Sequence, residues 1–355
     1  MSTNIEVNKP TPIEIGKPPK VYKRGYDAGR AIAALDKDEI ILINEYYSDG
    51  VSLLKELHKY LKVILPNKSY EEQQHYRSEY HRLSNFIVLE VVEQKLKVKK
   101  SPSVGWLTKL YPENDHFYLT FPQIQGMNSA WQWYQNGVPM PVLRNKIHPY
   151  YGVYFPTRFE HLILFDNWLK RYDGPKKSAI EIGIGCGVMS FQLIRHQFQK
   201  VFATDVNPNA IVGLKEFMGT TKLSRKIELD LGYLFGTWKK QSELIVFNPP
   251  WLPESRELSN LDEAIYYNKK LFPEFFAEAK TRLLPEGKLV LIFSNLAQIS
   301  KVTKEHPIET ELAKGNRFKL EKRLTRSVSA ASSNTTRDQH WRASEEVELW
   351  VLTHA

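Results

Sequence analysis

The spacing of apolar positions divides the chain into two textures. In the first, Leu53, Leu54, Leu57, Tyr60, Leu61 and Ile64 recur at helical intervals, and Pro66 closes that helix. Ser69 is placed to cap a second helix running through Tyr70, Tyr76 and Tyr80 toward Leu83. Residues 86–92 form a branched apolar run compatible with either helix or strand. From Trp106 to Tyr154 aromatics, Pro and Gly take over, with short strands expected at 117–121 and 138–143 joined by turns. Such a stretch is either the core of a small domain or a cap folded over a site.

Beyond residue 158 the pattern alternates. Helices are expected at 159–172, 188–197, 208–218 and 265–284, and strands at 178–182, 200–204, 226–231, 243–247 and 288–294. Two further strands, 318–323 and 346–352, flank a polar Ser/Thr-rich stretch, 325–340, expected to be a mobile loop. This alternation predicts an α/β fold with a doubly wound, Rossmann-like sheet of seven strands. The expected division is a flexible N-terminus (1–20), an N-terminal domain for substrate recognition or capping (21–150) and the sheet-bearing domain (151–355).

Hydrophobic residues make up 42% of the 355, enough for a substantial core. The formal charge of +9 tilts partners toward acidic surfaces, nucleic acid included, although a mildly basic enzyme carries the same number. The lysine-rich stretch 94–100 is a solvated face or a phosphate-binding patch. Cys186 is the single cysteine, so no internal disulfide forms, and a reducing, cytoplasmic setting is expected. No apolar run reaches the roughly 18 residues of a membrane span, and the N-terminus lacks a signal peptide's apolar middle. No metal site and no membrane partner are expected.

Candidate chemistry lies in two segments of the second texture. Glu181-Ile-Gly183-Ile-Gly185-Cys-Gly187 follows an expected strand and opens an expected helix. Small residues there let the backbone turn tightly and approach a ligand, with helix N-terminal amides facing it. Cys186 fills space in this loop and is not read as a nucleophile. The next strand ends at Asp205, followed by Val206 and Asn207. A carboxylate at that place accepts two hydroxyl hydrogen bonds from a ribose, or else caps the helix that starts near Pro208. About forty residues on, an apolar strand ends in Asn248-Pro249-Pro250-Trp251. Two prolines fix the backbone and donate no N–H. The Asn248 side-chain oxygen and the Pro249 carbonyl can then accept both N–H groups of a planar NH₂, and Trp251 can stack on it.

In this order the segments resemble the class I S-adenosylmethionine-dependent methyltransferases, over about residues 150–355. The Asn-Pro-Pro-Trp segment is similar to the Asn-Pro-Pro-aromatic N-methyltransferases, which act on adenine N6 or on glutamine N5 of release factors and a ribosomal protein. The stretch Gly152-Val-Tyr-Phe-Pro-Thr-Arg-Phe-Glu160 also looks like a segment of the glutamine enzymes, although those usually have Tyr where this chain has Trp251. The resemblance implies S-adenosyl-L-methionine as cofactor. It implies that the Gly183–Gly187 loop, with Glu181, meets its amino-acid portion, that Asp205, Val206 and Asn207 meet its ribose, and that Thr157 and Arg158 border its carboxylate. Asp230 is the nearest candidate for the adenine, with Tyr233 the alternative in a different alignment. The glutamine enzymes have a shorter N-terminal domain, and residues 106–150 match no part of them.

The function expected is an N-methyltransferase acting on an amide or amine nitrogen, with Asn248, Pro249, Pro250 and Trp251 at the acceptor. A protein glutamine ranks first. An adenine in RNA or DNA, or a small-molecule amine under a pocket closed by residues 106–154, are the alternatives. A non-catalytic protein that keeps the fold ranks last.

Overall fold

The computed structural model describes residues 5–65, 70–219, 221–254, 265–329 and 344–355. They form two compact units: Lys9–Gln135, and the residues up to Asn8 together with Asn136–Ala355.

In the first unit, β1 (Lys20–Tyr22), β2 (Ile41–Ile43) and β3 (Ile87–Val92) are parallel neighbours, while β4 (Lys95–Leu96) and β5 (His116–Thr120) run antiparallel to β3. The run 86–92, ambiguous in sequence, becomes central strand β3, with Ile87, Val88, Leu89 and Val91 fully buried. Among the described residues, five helices complete the unit: α1 (Ala28–Leu35), α2 (Tyr47–Ile64), α3 (Tyr70–Ser84), α4 (Trp106–Leu110) and α5 (Phe121–Asn136). Pro66 and Ser69, read as a helix stop and a cap, lie outside the described residues.

Helix α5 corrects the expectation of turns after residue 121. Thr120 and Gln123 form a reciprocal cap. Gln123 N–H donates to Thr120 Oγ1 at 3.3 Å, and Thr120 N–H donates to Gln123 Oε1 at 3.0 Å. Pro122 sits in the first turn, where its missing N–H costs nothing. The lysine-rich stretch is a solvated edge with internal partners. Lys97 pairs with Glu90 at 2.9 Å, and the Lys99 and Lys100 ammonium groups lie 5.5 and 6.0 Å from the Tyr46 ring centre. The segment read as a flexible lead-in makes specific bonds within this unit. Ile13 N–H donates to the Tyr118 carbonyl at 2.8 Å, and Tyr111 Oη donates to the Pro10 carbonyl at 2.5 Å.

The second unit holds α6 (Glu160–Leu169), β6 (Ser178–Ile182), α7 (Val188–Arg195), β7 (Lys200–Asp205), α8 (Pro208–Gly219), β8 (Ile227–Leu231) and β9 (Ser242–Phe247). There follow the two-residue strands β10 (Leu252–Pro253) and β11 (Tyr266–Tyr267), then α9 (Leu271–Arg282), β12 (Leu283–Ser294), α10 (Leu296–Ile299), α11 (Pro307–Ala313), β13 (Phe318–Ser327) and β14 (Glu346–His354). The seven-stranded sheet has the order β13-β14-β12-β9-β6-β7-β8. β12, β9, β6, β7 and β8 are mutually parallel and β14 is antiparallel to both its neighbours. This is the α/β sheet that the strand-helix alternation predicts.

Its central strands are buried on both faces, so successive residues feed opposite cores. Ala179, Leu244, Val246, Val290 and Ile292 join one cluster with Phe165, Leu193 and Ile211. Ile180, Ile182, Ile245, Phe247, Leu289 and Leu291 join the other with Phe272, Phe275 and Phe276.

Residues 136–150, read from sequence with the N-terminal region, contribute Val138, Met140, Val142 and Ile147 to the first of these cores. The strand expected at 138–143 is a single bridge, Val138 to Ile147, because Pro139 and Pro141 have no N–H for a ladder. Helix α9 starts at Leu271 rather than 265, since Asn268 Oδ1 accepts from the N–H groups of Lys270 and Leu271 at 2.9 and 3.1 Å. Of the loop expected at 325–340, residues 325–327 belong to β13, and 330–343 lie outside the described residues. Among the described residues no helix is long and apolar enough to cross a membrane.

Candidate active site

Three adjacent strands bring the two candidate segments together. Ile182 at the end of β6 pairs with Thr204 of β7 on one side and with Phe247 of β9 on the other. The residues that follow these three, Gly183, Asp205 and Asn248, therefore leave the sheet side by side at its carboxyl edge, with strands about 4.8 Å apart. Strand order reverses between β6 and β9, the switch point where open α/β sheets place their ligands.

The glycine loop takes its shape from backbone torsions. Gly183, Gly185 and Gly187 have φ of 67°, 51° and 83°, a region that side chains other than glycine's rarely enter. Open room lies before the first two: a Cβ on Gly183 would meet only Phe247 at 3.9 Å, and one on Gly185 only the Tyr154 carbonyl oxygen at 3.9 Å. At Gly187 the reason is packing, since a Cβ would stand 2.8 Å from Leu214 and 2.9 Å from Phe191.

Asp205 is already oriented by main-chain donors. Gly185 N–H donates to Oδ2 and Asn207 N–H to Oδ1, each at 2.8 Å. Burial raises its carboxyl above the usual range, and the N–H groups of Asn207, Gly185 and Val206 oppose that shift. Each carboxylate oxygen has a further lone pair for a hydroxyl donor. Beyond Asp205, at the ends of β7 and β8, Val206, Leu231 and Tyr233 are exposed apolar side chains. A nucleoside fits this row: a diol at the carboxylate, a flat base on the apolar surface, and a charged tail over the open glycines.

At the other end of the row, Asn248 and Trp251 are bonded to each other. Trp251 Nε1–H donates to Asn248 Oδ1 at 3.1 Å. The indole packs against both cores and meets the ring of His161, with centroids 5.6 Å apart and planes at 89°. His161, in the first turn of α6, is buried, and burial pushes its imidazole down to about 4. Its ring is therefore neutral at physiological pH.

The family described as the methyltransferase small domain matches residues 162–322. A provisionally named protein N5-glutamine methyltransferase of Methanocaldococcus jannaschii is 26% identical over 162 residues, covering 43% of this chain and 77% of that protein. A release factor glutamine methyltransferase of Dictyoglomus turgidum is 30% identical over 150 residues, covering 38% of this chain and 52% of its own. Residues 162–322 thus match a methyltransferase domain, and its named relatives are methyltransferases. Among solved structures, a ribosomal protein L11 methylase of Lactobacillus delbrueckii subsp. bulgaricus overlays 61% of this chain and 90% of its own, with 15% identity and a TM-score of 0.38.

Within the methyltransferase domain, the residues expected from sequence divide by what they touch. Gly183, Gly185, Asp205, Val206 and Asn248 lie along the sheet edge. Asn207 braces that edge, its Nδ2 donating to the Gly152 carbonyl at 2.9 Å. Glu181 is turned inward: it is 2% exposed, accepts from the Ser190 hydroxyl on α7, and burial pushes its carboxyl up to about 8. Arg158 points to the buried carboxylate of Glu345, 3.3 Å away, while Thr157 is exposed. Asp230 is engaged by Thr237, whose N–H and hydroxyl donate to its Oδ2 at 2.7 and 2.8 Å. Tyr233 donates its hydroxyl to Glu274 at 2.9 Å. Burial pushes the Cys186 thiol up to about 12, so it stays protonated.

Two features carried no sequence signal: the histidine behind Trp251, and the Tyr154 carbonyl over the glycine loop. The Asn248–Trp251 bond did carry one. Two prolines between an acceptor and a donor three residues apart are compatible with a tight turn that closes one on the other.

Proposed function

We propose that this protein is an N-methyltransferase that moves the methyl group of S-adenosylmethionine to an amide nitrogen, the side chain of a protein glutamine. The observation that carries it is the row of strand ends, which puts an orienting carboxylate, an open glycine turn and an Asn-Pro-Pro-Trp turn within adjacent strand spacings. The names of the two glutamine-methylating relatives support the choice of acceptor.

When bound, the cofactor supplies an electrophilic methyl on a sulfonium. The chain's own residues do the remaining work. Asp205 holds the ribose hydroxyls, and the Gly183–Gly185 turn leaves room for the amino-acid tail. An amide NH₂ has a delocalised lone pair, so its nitrogen is a poor nucleophile. Asn248 Oδ1 and the Pro249 carbonyl accept its two N–H groups, which raises electron density on nitrogen and aims it. Held by Asp205 and the glycine turn, the sulfonium would supply the methyl and keep the C–S electron pair, and the aimed amide nitrogen would lose one proton to solvent. No strong base is needed at the site, and His161, buried and neutral, is not placed as one.

The test is transfer of labelled methyl from S-adenosylmethionine into fractionated cell extract. Label recovered as N5-methylglutamine after protein digestion is the expected result. Label in RNA, DNA or small molecules overturns the acceptor. Failure to bind S-adenosylmethionine overturns the enzymatic reading altogether.

A further inference from the structure

We propose that Trp251 is a positioning residue, whose indole N–H fixes the Asn248 carboxamide so that its oxygen, and not its nitrogen, faces the methyl acceptor. This rests on the acceptor end assigned above, and it gives Trp251 a task different from stacking on the acceptor.

An asparagine side chain has two nearly isosteric faces, one an acceptor and one a double donor. An acceptor amide that must donate two N–H groups is recognised by the oxygen face and repelled by the other. Asn248 is half-buried at the end of β9, directly before two prolines, and Pro249 has no N–H to select an orientation. Trp251 does select one. Indole nitrogen is a donor only, so its 3.1 Å contact is favourable with Oδ1 and unfavourable with Nδ2. One lone pair of Oδ1 is taken by the indole and the second is left for the acceptor.

The indole is itself held. It packs on both cores and against His161. On the same helix, Glu160 Oε1 accepts from Ser329 N–H at 3.0 Å. The chain of contacts therefore runs from α6 through His161 and Trp251 to Asn248. A tyrosine at 251 would carry its hydroxyl at the ring's far end, and a phenylalanine has no donor. Of the three aromatics, only tryptophan offers a donor on the side of the ring used here.

The experiment uses the full-length protein labelled with ¹⁵N-tryptophan. The Trp251 indole signal is identified by its loss in Trp251→Phe. Slow exchange of that indole proton with solvent in the wild type, at least tenfold faster exchange in Asn248→Ala, and retained protection in Asn248→Asp are expected. An indole signal and exchange rate unchanged by Asn248→Ala overturn the clamp. The second measurement is methyl transfer from labelled S-adenosylmethionine into the protein fraction of cell extract. Trp251→Phe should slow transfer about tenfold to a hundredfold at saturating acceptor, with cofactor affinity and acceptor KM within about twofold of wild type. A raised KM with an unchanged maximal rate overturns positioning in favour of stacking. Wild-type protein that labels no glutamine refutes the acceptor class proposed above, and the indole measurement still decides the clamp.

Discussion

At the glycine-loop end of the site the shape is set by main-chain torsions and one carboxylate held by main-chain N–H groups. At the Asn-Pro-Pro-Trp end it is set by side chains bonded to one another. Gly183, Gly185 and Gly187 hold left-handed torsions that follow from residue type alone, and Asp205 takes its direction from Gly185 and Asn207. Asn248 takes its direction from Trp251, and Trp251 from its packing against His161 and two cores. A fault at the first end should alter what binds. A fault at the second should alter how fast bound partners react.

The sharpest break of that contrast is Asn248→Ala. Single-turnover methyl transfer should fall about 10²–10³-fold, the cost typical of removing one aimed polar group, with cofactor affinity unchanged by calorimetry. A wild-type rate would remove Asn248 from the reaction. Asp205→Ala should do the reverse and weaken cofactor affinity by about a hundredfold, since hydrogen bonds to a charged group are each worth about 1.5–3 kcal/mol. Unchanged affinity would refute the ribose role.

Gly187→Ala probes stability and not binding. With φ at 83° and a Cβ 2.8 Å from Leu214, the variant should lose about 2 kcal/mol in denaturant unfolding. A loss confined to cofactor affinity would place Gly187 with the other two glycines.

The effect expected for Glu181→Gln depends on pH and vanishes near pH 4.5. The folded carboxyl titrates near 8, above its usual 4.5, because burial disfavours the charge. The folded state therefore binds a proton that the unfolded state releases as pH rises from about 4.5, and stability from this group falls until about pH 8. The glutamine variant lacks that loss. Its melting temperature should match wild type near pH 4.5 and exceed it by a few degrees at pH 8 and above. A gap that does not widen with pH would show that Glu181 stays charged, which the Ser190 bond alone would then have to support.

The sheet of the second unit was legible because both faces of its central strands are buried. Short apolar runs at 178–182, 200–204 and 243–247 leave little alternative, and the observed strands differ from them by at most a residue. Helix α5 was harder to see. Its buried positions Phe121, Ile124 and Met127 step by three among polar and aromatic neighbours, so its apolar stripe is weak. The signal present was the Thr120–Gln123 cap, which sits at the end of a strand rather than before an apolar run. Residues 138–143 looked extended from composition, yet alternating prolines disable a ladder and leave the segment to be fixed by packing. The same contrast holds for the site. Glycines and a strand-end acid are local signals. The meeting of His161 with Trp251 joins residues ninety positions apart, which no spacing rule reports.

One connection made early in the chain has a consequence for the order of events during synthesis. Asn8 pairs with Asn209 in both directions: its N–H donates to Oδ1 at 2.6 Å, and its carbonyl accepts from Nδ2 at 2.8 Å. Asn209 is fully buried, and its amide also holds the Tyr151 carbonyl at 2.7 Å. The separation of 201 positions takes a ribosome about 10–40 s to cover at about 5–20 residues per second. Throughout that interval Asn8 lacks its Asn209 partner, while the whole of Lys9–Gln135 has been synthesised. Asn8, synthesised before Lys9–Gln135, thus completes its native hydrogen bonds only once Asn209 of helix α8 exists, and α8 begins next to the carboxylate assigned to the ribose.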